Sequence, residues 1–241
     1  MHGAGAGQYG QGRAAYRPGT RAATAGACLA KRGRLMHSGL TLLNLWCPLA
    51  FDKAYYERYY YNARTSVTSA AEMRARARLI AAYTEHVGLP VRRVLDMGCG
   101  IGILRRHLKP LFRRATYVPV DVSEYLCQRY GWEQGGVTTY RNATPFDLVV
   151  CYDVVQYLDE KEAAKAIRNL ARLCRGVMYF GSLTKLDWRR NADRERTDPN
   201  VHLHTGDWYR TQLRKSFHEV GAGFWVRKGA PLTLWDLETA G

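Results

Sequence analysis

The sequence predicts an α/β fold in which a mostly parallel sheet carries helices on both faces. Three observations predict it. From residue 91 onward, short apolar runs alternate with helical patterns, the order that builds parallel strands through crossover helices. Residues 147–152 (Asp-Leu-Val-Val-Cys-Tyr) are almost wholly apolar, as a strand covered on both faces must be. The stretch Val91 to Leu95 leads into Asp96, three alternate glycines and then a helical pattern from Ile103. That is a buried strand, a tight turn and a helix start.

The elements follow in order. Residues 51–63 are an aromatic-rich helix. Ser69 precedes a second helix, 70–87, whose apolar face is Leu79, Ile80, Ala82 and Tyr83, and Gly88-Leu89-Pro90 stops it. Strand 91–96 is followed by a helix to about 109, ended by Pro110. Strand 115–121 leads into a helix from Ser123, and a short strand is expected at 136–141. Strand 147–152, a helix over 160–174 and strand 177–181 come next. A polar stretch, 185–200, interrupts the order before Thr205 caps a helix running to about Phe217. Strands 219–227 and 232–237, joined through Lys228-Gly229-Ala230-Pro231, form a terminal antiparallel hairpin.

The chain divides into three parts. Residues 1–35 hold six Arg and Lys and no acid, with no apolar periodicity. They cannot bury enough surface to offset chain entropy. Three readings fit: a disordered basic tail, a transit-like peptide, or sequence upstream of a true start at Met36, which is favoured slightly. Residues 36–90 are an N-terminal helical cap, and 91–241 form the α/β domain. The apolar segment Gly39 to Phe51 is too short for a membrane span and lies too far from the N-terminus for a signal peptide, so a packed helix is expected. No membrane association follows.

The formal net charge is +15, but outside the tail 30 basic residues face 21 acidic ones, a net +9. The six cysteines form no C-x-x-C, and no Cys/His cluster has metal-ligand spacing. No metal is expected, and the reduced thiols fit a cytoplasmic protein.

The stretch Asp96-Met97-Gly98-Cys99-Gly100-Ile101-Gly102 carries the chemistry. A dinucleotide fingerprint would need Gly or Ala where this chain has Ile103 or Arg105. A P-loop would need Gly-Lys-Ser or Gly-Lys-Thr after the turn, which is missing. What remains, D-x-G-x-G-x-G between a strand and a helix, resembles the first motif of class I S-adenosylmethionine-dependent methyltransferases. The element order from about 90 to 238 resembles that family's seven-stranded sheet. The resemblance implies S-adenosylmethionine as cofactor, with Asp96 taking its amine and Gly98, Cys99, Gly100 and Gly102 lying against it. Asp121, which ends the next strand 25 residues after Asp96, would accept both ribose hydroxyls, with Val122 beside it. The family's adenine contact is an acid or amide after the third strand. Here Thr138-Thr139-Tyr140-Arg141-Asn142 holds no acid, and Asn142 is the candidate. Cys151 to Asp153, at the end of strand 147–152, would border the methionine part and the methyl group.

Methyl transfer from a sulfonium is an in-line displacement that positioning and desolvation largely carry. A base is needed only when the acceptor must lose a proton. His202 and His204, an H-x-H pair after the polar stretch, and Tyr157 are the candidates. Surface or structural histidines remain the commoner outcome. Cys151 has no visible partner base and is not expected to be a nucleophile. The tyrosines Tyr55, Tyr56, Tyr59, Tyr60 and Tyr61 either glue a helix to the sheet or cover the cofactor.

The expected activity is methyl transfer to an O, N or C nucleophile of a small molecule or metabolite. RNA methylation is the alternative, because arginines cluster at Arg74/Arg76/Arg78, Arg105/Arg106, Arg113/Arg114 and Arg189/Arg190, but no RNA-binding module is appended. A non-catalytic cofactor-binding protein is the third reading.

Overall fold

The structure is a computed structural model that describes residues 51–62 and 64–239. The basic tail 1–35 and the first part of the helical cap, 36–50, lie outside the described residues. Seven strands form one sheet: β1 (Arg93–Met97), β2 (Thr116–Asp121), β3 (Glu133–Gln134), β4 (Phe146–Tyr152), β5 (Cys174–Gly181), β6 (Phe217–Gly221) and β7 (Phe224–Arg227). Their order is β3-β2-β1-β4-β5-β7-β6. The pairings β3–β2, β2–β1, β1–β4 and β4–β5 are parallel, and β7 runs antiparallel to both β5 and β6. The helices are α1 (Lys53–Tyr56), α2 (Ala70–His86), α3 (Ile103–Leu108), α4 (Glu124–Tyr130), α5 (Glu160–Leu173), α6 (Lys185–Arg190) and α7 (Gly206–Leu213).

Strand alternation divides the core into two layers. Val94, Leu148 and Val150 face α2 and α3, where Met73, Ala77, Ile80, Leu104 and Leu108 meet them. Leu95, Val149 and Cys151 face α5 and α7, where Ile167, Leu170 and Leu213 meet them. Ser69 caps α2 in a reciprocal box with Glu72. The buried face of α2 is Met73, Ala77, Ile80 and Thr84, so the expected face shifts and Leu79 is 45% exposed.

The aromatic segment starts as α1 and continues as one π-helical stretch, Glu57–Tyr61. The strand expected at 136–141 is absent; β3 ends at Gln134, and Gly135 and Gly136 lead into a turn. The buried Asn169 side chain satisfies the Val137 and Tyr140 carbonyls at 2.9 and 3.0 Å, so no strand partner is needed. The terminal hairpin also lies elsewhere. Phe217, 1% exposed, opens β6 rather than ending a helix. The turn is Ala222-Gly223, both at positive φ (49° and 85°), as primed hairpin turns require. Residues 232–235 are unpaired; Leu232 and Leu234 pack on the α2/α3 layer without a ladder.

One ion pair, a buried carboxylate with an arginine at the surface, holds the ends of three strands together. At the start of β4, Asp147 Oδ2 accepts the Arg92 and Arg93 amides at 2.8 Å each. Its Oδ1 accepts Arg175 Nε of β5 at 2.7 Å. Burial pushes this carboxyl up, but the Arg175 bond and the two amides outweigh it and leave its pKa below the usual value. Asp147→Asn is expected to cost about 2 kcal/mol, the range for hydrogen bonds to a charged group. A depressed folded pKa stabilises above about pH 4 and loses that contribution as pH falls through the folded value. Urea melts at pH 7 and pH 3 should therefore show the two proteins converging at the acid end.

Candidate active site

The turn after β1 is drawn tightly over the sheet. The Gly98 and Cys99 amides donate to Val120 O of β2 at 2.8 and 3.1 Å. Gly98, Gly100 and Gly102 all have positive φ (73°, 54° and 72°), which L-residues with side chains rarely adopt. Gly98 has a second reason to be glycine: a Cβ there would lie 2.2 Å from Val154 Cγ2. Trp132 Nε1 donates to Gly100 O at 3.0 Å, and its ring closes against Gly102.

Two buried carboxylates stand at adjacent strand ends. Asp96, 4% exposed, ends the α2/α3 face of β1. Its Oδ2 accepts the Tyr117 hydroxyl at 2.6 Å. Burial raises its pKa to about 6, with Asp121 adding to the rise and Tyr117 and Arg105 opposing it. Asp121, also 4% exposed, accepts the Gly100 amide on Oδ2 at 2.8 Å and the Ser123 amide on Oδ1 at 2.9 Å. Burial raises its pKa too, despite those amides, the Val122 amide and the Tyr56 hydroxyl.

A recess of about 70 Å³ lies where the turn meets the end of β4, lined among others by Asp96, Gly98, Cys99, Gly100, Tyr152 and Asp153. It adjoins an open cleft of about 1110 Å³ that shares Tyr60, Tyr152 and Asp153 with it. Asp153 sits at φ 58°, a strained conformation for a non-glycine residue. It is open to the cleft but ringed by protein. Burial raises its pKa to about 6, against the pull of Arg76 and Gln156.

The aromatic segment covers the Asp121 side of this region. Tyr56 is 3% exposed and stacks on Tyr125 of α4 at 6.2 Å. The Phe51 carbonyl accepts Ser123 Oγ at 2.6 Å. Tyr60 lies 3.9 Å from where a Gly100 Cβ would be. Tyr55 donates to or accepts from the Tyr157 hydroxyl at 2.8 Å, and both line the cleft.

Several sequence expectations change. Asn142 lies at the opposite end of the sheet, where its Oδ1 accepts Arg93 Nη2 at 3.0 Å and the Thr144 amide at 3.1 Å. Gly135, whose amide donates to Asp121 O at 2.9 Å, marks the segment beside Asp121. Cys151 is fully buried in the α5 layer, because strand alternation turns it away from the face that carries Asp96. Its burial pushes the thiol pKa up, against any nucleophilic role. Neither His202 nor His204 lines the cleft. His202 is exposed, and its backbone amide donates to Gln156 O at 2.7 Å. His204 Nε2 donates to Leu158 O at 3.1 Å, and the ring stacks on Trp208 at 4.4 Å. These residues fasten the 198–204 segment onto the turn after β4. The sequence reading did not single out Gln156 or Asp198 as site residues, and it named Tyr152 only within the span Cys151 to Asp153. Period-two alternation from Asp96's paired strand could have found Tyr152.

Two carboxylates stand at neighbouring parallel strand ends, under a bare glycine turn where the chain reverses its direction of winding, the place where doubly wound α/β proteins bind ligands. Residues 95–176 match the methyltransferase domain family model. The strand order and the glycine turn agree with the resemblance to class I S-adenosylmethionine-dependent methyltransferases that the sequence motif carries. The ubiquinone biosynthesis O-methyltransferase of Hahella chejuensis is 28% identical over 116 residues, 42% of this chain and 47% of that protein. The enzyme of the same name from Pseudomonas fluorescens is also 28% identical over 116 residues, 48% of its length. The chain thus spans about half the length of the curated relatives it matches. Among solved structures, magnesium protoporphyrin IX methyltransferase (ChlM) of Synechocystis PCC 6803 with bound SAH superposes with a TM-score of 0.53. It is 20% identical, over 75% of this chain and 97% of that one. DesVI of Streptomyces venezuelae gives 0.50 at 17% identity, over 65% and 91%. These structural likenesses establish the fold.

Gly98→Ala is expected to destabilise by more than about 2 kcal/mol, combining a positive-φ penalty with a core clash. Adding Val154→Ala should recover the clash part only, and equal melting temperatures for single and double variants would contradict the geometry. His204→Ala should cost about 1 to 2 kcal/mol through its lost hydrogen bond and stack.

Proposed function

We propose that this chain transfers a methyl group from S-adenosylmethionine to an oxygen, nitrogen or carbon nucleophile of a small molecule, in the cytoplasm. The observation that carries this reading is the recess at Asp96, Gly98 and Gly100, adjoining through Asp153 a cleft large enough for an acceptor. The residues fit the cofactor. One Asp96 oxygen is bound by Tyr117, which leaves the other for an ammonium group. The backbone at Gly100 is bare, and a side chain there would stand in the way. Asp121 would hold the ribose hydroxyls, with Val122 alongside; the Tyr56 hydroxyl now faces that carboxylate. Bound there, the cofactor supplies an electrophilic methyl group on a sulfonium.

The chain's own contribution is to bind, orient and exclude water. Tyr55, Tyr60 and Tyr157 wall the cleft with rings, and Tyr157 is the one expected catalytic candidate that reaches it. Burial raises its hydroxyl pKa well beyond its ordinary value, so it acts as a neutral hydrogen-bonding group. Carboxylates predominate on the cleft wall: Asp153, Asp187, Asp193, Asp198 and Glu72 against Arg106 and Arg196. That sign repels phosphate and supports a small-molecule acceptor over RNA. Arg76 and Arg105, from the basic clusters, are used internally. Arg76 binds the Tyr179 and Tyr152 hydroxyls, and Arg105 lies over Tyr117 and Trp132. Among the described residues no helix is long and apolar enough to cross a membrane.

S-adenosylhomocysteine at about 100 times its Kd should stabilise the chain by roughly 2.7 kcal/mol, and calorimetry showing no binding would end this reading. Asp121→Ala should weaken binding and leave a folded protein. The pH dependence follows from Asp96, whose pKa is raised to about 6. Its ionised form holds the amine, so affinity should fall below about pH 6. The free protein should move the other way: a raised folded pKa means the native state binds more protons, so its stability rises as pH drops from 6 toward 4.

A further inference from the structure

The wall of the cleft formed by Tyr55, Tyr60 and Tyr157 has a specific chemistry. Tyr55 and Tyr157 share a hydroxyl–hydroxyl bond of 2.8 Å, and the Tyr55 and Tyr60 rings lie 6.2 Å apart. Asp198 lines the same cleft and is 6% exposed. Both of its hydrogen bonds fall on Oδ1, from the Asn200 amide at 2.9 Å and the Asn200 side chain at 3.0 Å. Its Oδ2 has no donor among the described residues. Its charge acts on the hydroxyls of all three tyrosines, and that of Asp153 acts on Tyr60 and Tyr157.

The other carboxylates on the cleft wall have local partners. Asp187 accepts from Thr184 and Asn191. Asp193 pairs with Arg196 at 3.6 Å. Glu72 caps α2, whereas Arg106 on α3 is an exposed cation on the cleft wall without a carboxylate partner among the described residues. The carboxylates left facing the tyrosine rings are Asp198 and Asp153, the latter also drawn by Arg76 and Gln156. Spare carboxylate lone pairs and π faces both favour a cation. An anionic acceptor would meet like charge, and a neutral one would leave a buried carboxylate without a counter-ion.

We propose that the acceptor is a primary or secondary amine, held as its ammonium ion between Asp153, Asp198 and the rings of Tyr55, Tyr60 and Tyr157. This rests on the methyl-transfer reading above. The ammonium gives one proton to Asp153, which passes it to water in the open cleft. The amine nitrogen then attacks the methyl carbon. The C–N bond forms, the C–S bond breaks with its electron pair left on sulfur, and the positive charge moves to the methylated nitrogen.

The test uses the full chain saturated with S-adenosylhomocysteine and calorimetric titration of matched probes. Tyramine, phenethylamine and spermidine supply the amine. Tyrosol and 4-hydroxyphenylpropanoate replace it with a hydroxyl and a carboxylate. The amines should bind, and the two replacements should bind at least about tenfold more weakly than tyramine, as loss of a charge-assisted bond requires. Asp198→Asn should weaken amine binding by a similar factor while leaving S-adenosylhomocysteine affinity unchanged. Binding of tyrosol or the carboxylate as tight as that of tyramine, or no binding of any amine, overturns the proposal. The probe comparison on the unaltered chain decides this even if the variant misfolds. Failure of S-adenosylhomocysteine itself to bind shows before any amine is added, and overturns the methyl-transfer reading on which the proposal stands.

Discussion

The site depends on how closely the 97–102 turn passes over the strand ends. Gly98 makes that passage possible, because a Cβ there would meet Val154 Cγ2 at 2.2 Å. With the turn pressed down, its amides reach Val120 O, and the Gly100 amide reaches the Asp121 carboxylate. The turn therefore fixes both the bare backbone of the recess and one of its two acids. Val154 lies two residues beyond β4, next to Asp153, so the same contact connects the recess to the open cleft.

Burying Asp96 and Asp121 is unfavourable, and both carboxyls are driven upward by it. The fold offsets the cost unequally. Asp121 is met by several donors, whereas Asp96 has the Tyr117 hydroxyl and a distant Arg105. The less satisfied acid is the one that faces the recess. An unmet carboxylate beside a small polar cavity is a site in search of a cation, while the well-met Asp121 also holds the turn. At the other end of the sheet, Asp147 shows the contrasting case: three donors, a lowered pKa and a purely architectural role.

The segment 198–204 illustrates how a structural device can look like a catalytic one. His202 and His204 are spaced as a pair, but one contributes a backbone amide and the other a ring bonded to Leu158 O and stacked on Trp208. Their effect is to hold Asp198, a few residues earlier, against the cleft. The tyrosine-rich segment does two things at once. It packs on α4 through Tyr56 and Tyr125, and it supplies Tyr55 and Tyr60 to the cleft wall.

The sequence by itself determined the parallel core, the glycine turn and the two acids at strand ends, because each is written in a local pattern. Strand burial on both faces leaves a continuous apolar run, and positive φ calls for glycine. Element bounds were also legible where a cap marks them, as at Ser69, Ser123 and Thr205. Tertiary structure decided the rest. The carbonyls of 137–140 are satisfied by Asn169, a residue far along the chain, so a segment read as strand becomes a turn. Leu232 and Leu234 alternate like a strand but pack on the α2/α3 layer without a strand ladder. The hairpin turn lies at Ala222-Gly223 instead of at Lys228-Gly229-Ala230-Pro231. Asn142 fell at the wrong end of the sheet, and Asp198 came to the tyrosines through a segment fastened at Gln156 and Leu158. Local spacing cannot report such placements, because they are set by partners distant in sequence.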